Sequence, residues 1–180
     1  MNITKLLTLI LSFQAAVQAV TLQDLYRQYT QENKTEAAED IKTKLAKLKK
    51  WGIDPTRRIV ENIEWAHTFA QRFAYHIAKG NDKEAQDIEN KLAKLKELGI
   101  YTHTWIEENL AQARNFADRF VYHIAKGNDK EAQDIENKLA KLKEWGIHPV
   151  TRIVKDIKKA HTFAELFAYH IDTDTAPKQS

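Results

Sequence analysis

The sequence contains no cysteine, and its only serines are Ser12 and Ser180, near the two ends of the chain. Disulfides, thiolate metal sites and cysteine nucleophiles are therefore excluded. A serine triad cannot be assembled from two terminal residues, and the scattered glycines form no phosphate-binding loop. The sequence predicts that the protein is not an enzyme and uses no cofactor. An enzyme that uses carboxylates and histidines is the last of three functional hypotheses.

Glycine, proline and net charge are also scarce. Five glycines and three prolines leave little room for a turn-rich β fold. The 28 basic and 25 acidic residues nearly cancel, to a net charge of +3. Lysine and glutamate alternate along one segment, residues 83–97, which is typical of a solvated helix face rather than a basic stripe. We predict an all-α protein that does not bind nucleic acid.

The first 19 residues are typical of a secretory signal peptide. Lys5 precedes a mostly apolar stretch, Leu6–Val17, and small residues lead to a cleavage site near Ala19. The apolar stretch is shorter than the roughly 20 residues of a membrane-spanning helix. We therefore expect a secreted, extracellular protein without a transmembrane segment. The alternative is an ordinary amphipathic helix at the N-terminus.

An internal repeat organises the rest of the chain. Residues 75–100 return almost unchanged, 47 residues later, as residues 122–147. Such a period is typical of tandem supersecondary units that bury their apolar faces against each other. We predict three αα units in a short solenoid or compact bundle. The predicted segments are a signal peptide (1–19), an N-terminal capping segment (20–33), repeats 1 to 3 (34–79, 80–126 and 127–171) and a disordered tail (172–180).

Each repeat should contain two helices. The first has apolar residues spaced by threes and fours and should end at a glycine, namely Gly52, Gly99 or Gly146. Pro55 and Pro149 suit the first turn of a second helix that follows at once. The second helix has a wide face rich in phenylalanine and alanine. We expect the first helix to be the shorter and the second the longer.

Polar residues mark the expected helix starts. Asn81–Glu84 and Asn128–Glu131 have the spacing of capping boxes. The segment Asn33–Thr35 is a glycosylation sequon. Asn33 or Thr35 could equally cap the helix that begins there. The sequence leaves these two roles of the segment open.

A tryptophan motif occurs in the first and third repeats. Residues 51–60 read Trp-Gly-Ile-Asp-Pro-Thr-Arg-Arg-Ile-Val, and residues 145–154 repeat the pattern. The motif resembles the tryptophan motif of helical-repeat effectors secreted by oomycete pathogens. The resemblance covers ten residues, and no Arg-x-Leu-Arg follows the N-terminal segment. Trp51 and Trp145 are expected to cover a hairpin corner above the core.

The middle repeat differs from its neighbours between residues 101 and 121, and this segment is our candidate for a special contact. Two tryptophans, Trp65 and Trp105, have no counterpart in the other repeats. Exposed tryptophans are enriched at binding hot spots, although they also pack on neighbouring helix surface. The predicted binding residues are Trp65, Trp105, Tyr101 and His103.

Histidines recur through the repeats without the spacing of a metal site. His67 and His76 are nine residues apart, which places them on opposite sides of a helix. Histidines in successive repeats are a whole hairpin apart, too far to share one ion. We predict no metal site. The favoured role of these side chains is to contact the last carbonyls of their helices.

Three functions remain in order. The first is a secreted, non-enzymatic helical-repeat protein that binds another macromolecule, a protein partner, as a host-directed effector would. The second is a carrier of an apolar, lipid-like ligand between the repeat helices, because the second helices combine phenylalanine with small alanines. The third is the enzyme described above.

Overall fold

The computed structural model describes residues 21–173. The predicted signal peptide and its cleavage site lie outside the described residues, as do residues 174–180 of the predicted tail. Asp172 and Thr173, which were assigned to that tail, instead form the end of the last helix. No helix between residues 21 and 173 is long and apolar enough to span a bilayer.

The described residues form seven α-helices and no β-strand, which confirms the all-α prediction. Helix pairs pack against each other. The helices are α1 (Leu22–Gln31), α2 (Thr35–Lys50), α3 (Phe69–Lys79), α4 (Asp82–Glu97), α5 (Phe116–Lys126), α6 (Asp129–Glu144) and α7 (Phe163–Thr173). Three short 3-10 turns lie at Ile63–Trp65, Leu110–Gln112 and Ile157–Lys159.

The chain divides into two compact units. The first unit ends at Ala66 and also includes Phe73–Ala85, whereas the second comprises His67–Arg72 and the chain from Gln86 onward. In the first unit, α1 packs on α2. In the second, α6 packs on both α5 and α7.

Local polar contacts define the start of α1. The Thr21 hydroxyl accepts a hydrogen bond from the Asp24 N–H at 3.1 Å, and the Asp24 carboxylate accepts one from the Thr21 N–H at 3.2 Å. This reciprocal capping box satisfies two donors that the first turn would leave unpaired. Leu22 follows the cap and is only 1% exposed. The cap and the buried leucine therefore begin the helix together.

The 16-residue helices end at glycine, as predicted. Gly146 has φ +65°, and the Ile147 N–H donates to the Leu142 carbonyl at 2.8 Å. The left-handed glycine turns the chain so that this 6→1 bond can close, as in a Schellman motif. Ile147 is buried directly after the turn. The same ending occurs at Gly99.

The prediction that a second helix follows at Pro55 or Pro149 is wrong. Helices α3, α5 and α7 begin only at phenylalanine, and they have 11 residues against 16 for the preceding helices, so the predicted order of lengths is reversed. Side chains hold the intervening segments in turns: Asp54 accepts from the Thr56 N–H at 2.9 Å, and Asp156 caps a 3-10 turn. Such local bonds offer the backbone an alternative to a helix.

Backbone pairing explains why one of these non-helical segments is ordered in the second unit. The Ile153 N–H donates to the Arg114 carbonyl at 2.9 Å, and Asn115 and Arg152 form an antiparallel bridge. The Ala117 N–H donates to Pro149 at 3.2 Å. The segment from residue 149 to 153 therefore lies along the start of α5. These contacts satisfy backbone groups that a loop would otherwise present to water.

Two of the predicted helix caps are also corrected. Asn128 is the N-cap of α6 but makes no capping hydrogen bond with its side chain. Its amide nitrogen lies 3.4 Å from Nδ1 of His123 instead. Asn33 has φ +54° in the turn after α1, and the N-cap of α2 is Lys34. The predicted helix starts are therefore accurate, but their capping mechanism is not.

Candidate functional site

The segment from Tyr101 to Ile106 presents aromatic side chains on a fixed backbone. Its flanking isoleucines, Ile100 and Ile106, are buried and anchor it to the core of the second unit. The side chains between them point outward: Tyr101 is 66% exposed, Trp105 is 51% exposed, and His103 is exposed. The structure therefore brings together three of the four binding residues that the sequence predicts.

Trp105 is held by a stacking partner that sequence reasoning missed. Its ring lies parallel to that of His67, with the ring centroids 4.4 Å apart and the planes at 15°. The backbone supports this stack, because the Ile106 N–H donates to the His67 carbonyl at 2.7 Å and Thr68 bridges to Trp105. An exposed tryptophan fixed in this way loses little conformational entropy on binding.

Tyr101 continues this surface toward a cavity. Its ring centroid lies 6.3 Å from that of His148. His148 lines a cavity of about 450 Å³ at the C-terminal ends of α4 and α6, together with apolar side chains and two lysines. We define the aromatic surface as Tyr101, His103, Trp105, His67 and His148.

The cavity beside His148 is apolar with a charged edge. Leu98, Leu139 and Ile147 contribute apolar lining, and Lys96 and Lys143 contribute the cations. The Lys143 ammonium donates to the Glu97 carbonyl at 3.2 Å, at the end of α4. Such a cavity suits an apolar side chain next to an anionic group.

Trp65, the fourth predicted binding residue, belongs to the first unit. It lies in a 3-10 turn that Asn62 caps, since the Asn62 side chain accepts from the Glu64 N–H at 3.1 Å. Its side chain is 57% exposed, as expected for a surface position. Its role in binding stays a separate prediction.

A second aromatic group was not expected at the surface. Trp145 is 63% exposed and Phe163 is 68% exposed, so the expectation that Trp145 covers a core corner is wrong. Both lie near Phe167, at ring-centroid distances of 5.3 and 6.3 Å. Phe163 occupies the same sequence pattern as Phe69 and Phe116, which are fully buried, so the pattern concealed its exposure.

The phenylalanines that a carrier would need are occupied by protein packing. Phe69, Phe73, Phe116 and Phe120 are all fully buried. The cavity beside His148 has none of these four in its lining. The carrier hypothesis stays a prediction without a specific contact in its favour.

The histidines differ in their surroundings. Among residues 21–173, no group of three or more histidine, aspartate or glutamate side chains is arranged to hold a metal ion. His123 on α5 is 8% exposed, and burial lowers the pKa of its imidazole because the charged form loses hydration. Its ring lies against Tyr122 and near the Asn128 amide.

Burial of His123 predicts an acid-sensitive fold. The unfolded chain takes up a proton on this histidine at a higher pH than the folded chain, so stability is full above the unfolded pKa of about 6.5. Stability should then fall as the pH drops from that value toward the lowered folded pKa. Urea unfolding between pH 8 and pH 5 would measure this loss. The variant His123→Gln should have a shallower pH dependence, and an unchanged slope would contradict the assignment.

No protein-family model, curated protein or solved structure shows a significant match to this chain.

Proposed function

We propose that this protein is a secreted, non-enzymatic binding protein that recognises a segment of another protein through the aromatic surface. The observation that supports this most directly is the half-exposed Trp105, held in a stack on His67. Rigid, partly exposed aromatic side chains dominate the energetics of many protein interfaces. Host-directed effectors are one class of secreted protein in which such a surface would serve.

The lining of the neighbouring cavity indicates what kind of segment would bind. Tyr101 lies next to His148, which connects the exposed aromatic side chains with the apolar cavity. Lys96 and Lys143 at that cavity favour carboxylates close to the apolar group. The partner segment should therefore carry an apolar side chain for the cavity, flanked by aspartate or glutamate.

We further propose that the chain is a tandem array with a period of 47 residues, and that the repeats serve as a scaffold for this surface. The starts of α1, α3, α5 and α7 support this period, because they lie at Leu22, Phe69, Phe116 and Phe163. Sequence differences within a common scaffold would then set binding specificity. The aromatic residues of the middle segment are such a difference.

Peptide selection tests the proposed surface. Peptides would be selected from a displayed random library on the full chain, and their affinities measured by fluorescence polarisation. Trp105→Ala should weaken binding by about 2 kcal/mol or more, roughly 30-fold, because it removes the stacked ring. Trp145→Ala is the matched control, since Trp145 is a similarly exposed tryptophan of the same unit outside the aromatic surface.

The two variants give separable outcomes. Selected peptides rich in acidic and apolar residues that lose affinity only for Trp105→Ala would support the proposal. Peptides that bind Trp105→Ala as tightly as the unsubstituted chain would contradict it. Trp65→Ala tests the other predicted tryptophan independently, because Trp65 belongs to the first unit.

A further inference from the structure

A second cavity in the second unit is strongly basic. It measures about 560 Å³ and lies where the start of α5, residues 152–155, the last 3-10 turn and the end of α7 meet. This volume is in the usual range for small-molecule sites. Five of its lining side chains are cations and one is an anion: Arg114, Arg119, Arg152, Lys155 and Lys159, with Asp172.

Two of the arginines are brought side by side by the backbone. The Ile153 N–H donates to the Arg114 carbonyl, and Arg152 bridges to Asn115, so the two arginines project from paired strands of chain. The same backbone pairing in the preceding segment carries His67 and Trp105, whose rings stack. Here two guanidinium groups replace the stacked rings. Like charges at this spacing repel unless an anion lies between them.

A third arginine has a fixed orientation. Arg119 donates to Asp172 at 2.5 Å, and both side chains are about three-quarters buried. The guanidinium also lies 5.8 Å from the Phe116 ring. This contact uses the one carboxylate in the cavity lining and holds Arg119 in place. The remaining cations give the cavity a net positive charge.

Two other carboxylates lie close to this cavity, and each has backbone partners. Asp118 accepts from the Arg114 N–H at 3.3 Å and from the Asn115 amide at 2.7 Å. Glu165 accepts from the His161 N–H at 2.8 Å; this bond lowers the pKa of the carboxyl, with a smaller contribution from Arg152. Both carboxylates cap or precede helix starts, and neither lines the cavity.

We infer that this cavity binds an anion that carries two or more phosphate groups on a small scaffold. Arginine forks match phosphate oxygens in pairs of parallel hydrogen bonds, and lysines add point charges around them. One phosphate would lie between Arg114 and Arg152, and a second would reach Lys155 and Lys159. The site is independent of the aromatic surface, because the two share no residue.

Isothermal titration of the full chain with tripolyphosphate and with inositol hexakisphosphate tests this inference. Arg152→Gln should raise Kd about 10-fold, and Arg114→Gln should do the same, since each loses a charged bidentate contact. Arg58→Gln is the matched control, because it removes one charge from an exposed arginine of a similar segment that pairs with Glu61 in the first unit. That control should change Kd by less than about 2-fold.

Two sources of clustered phosphates are then distinguished. Vesicles of phosphatidylcholine with and without a phosphorylated inositol lipid would show, by co-sedimentation, whether the cavity also takes a lipid headgroup. Binding of soluble polyphosphates alone, or of both probes, supports the inference if Arg152→Gln weakens it. Equal weakening by Arg58→Gln would overturn it, because attraction to net charge would then suffice. Binding of a single-stranded oligonucleotide without binding of tripolyphosphate or inositol hexakisphosphate would also overturn it.

Discussion

Replacement of Phe116 with alanine should lower the free energy of unfolding by about 3–5 kcal/mol. Phe116 opens α5 and is fully buried. The charged groups of Arg119 and Lys138 lie 5.8 and 5.9 Å from its ring, and their aliphatic stems help to enclose it. Alanine would leave a cavity that so many fixed neighbours cannot close.

Phe163→Ala is the control for this prediction. Phe163 occupies the same position at the start of α7 but is 68% exposed, so its replacement should change stability by no more than about 0.5 kcal/mol. Urea denaturation followed by circular dichroism would measure both variants. Equal losses would show that the start of α5 is not a buried anchor in solution.

Ile153→Pro should cost about 3 kcal/mol, because proline cannot supply the N–H that bonds to the Arg114 carbonyl. This bond joins residues 149–153 to the start of α5. Its loss would leave a carbonyl unpaired and loosen the covering over Phe116. The basic cavity would lose its geometry as well, since Arg114 and Arg152 flank the bond.

Ile153→Val separates the side chain from the backbone bond. Valine keeps the N–H and removes one methylene from a half-buried side chain, so the loss should be no more than about 1 kcal/mol. Thermal unfolding of the two variants gives the comparison. If both lose the same stability, the side chain rather than the backbone pairing holds the segment.

Local sequence patterns were sufficient for the helices that precede each glycine. Apolar residues at threes and fours, together with Gly99 or Gly146, predicted the extent of α4 and α6 well, because a helix end with a left-handed glycine is a short-range feature. The exposure of Tyr101 and Trp105 was also anticipated, from their departure from the repeated pattern.

The predicted second helices failed for a physical reason. The apolar residues between Pro149 and Ile157 have helical spacing, but Asp156 caps a separate turn and Ile153 donates across to Arg114. Hydrogen bonds to a distant part of the chain are not visible in a periodicity. The same pairing places Trp105 on His67 and Arg152 beside Arg114.

By itself, therefore, the sequence determined the helical class, the glycine ends of the long helices and the absence of thiol or serine chemistry, since each depends on composition or on neighbours a few residues apart. Only the tertiary structure decided which phenylalanines are buried, where the short helices begin and which side chains meet. Those features depend on contacts between segments far apart in the chain, whose free energy no local pattern contains.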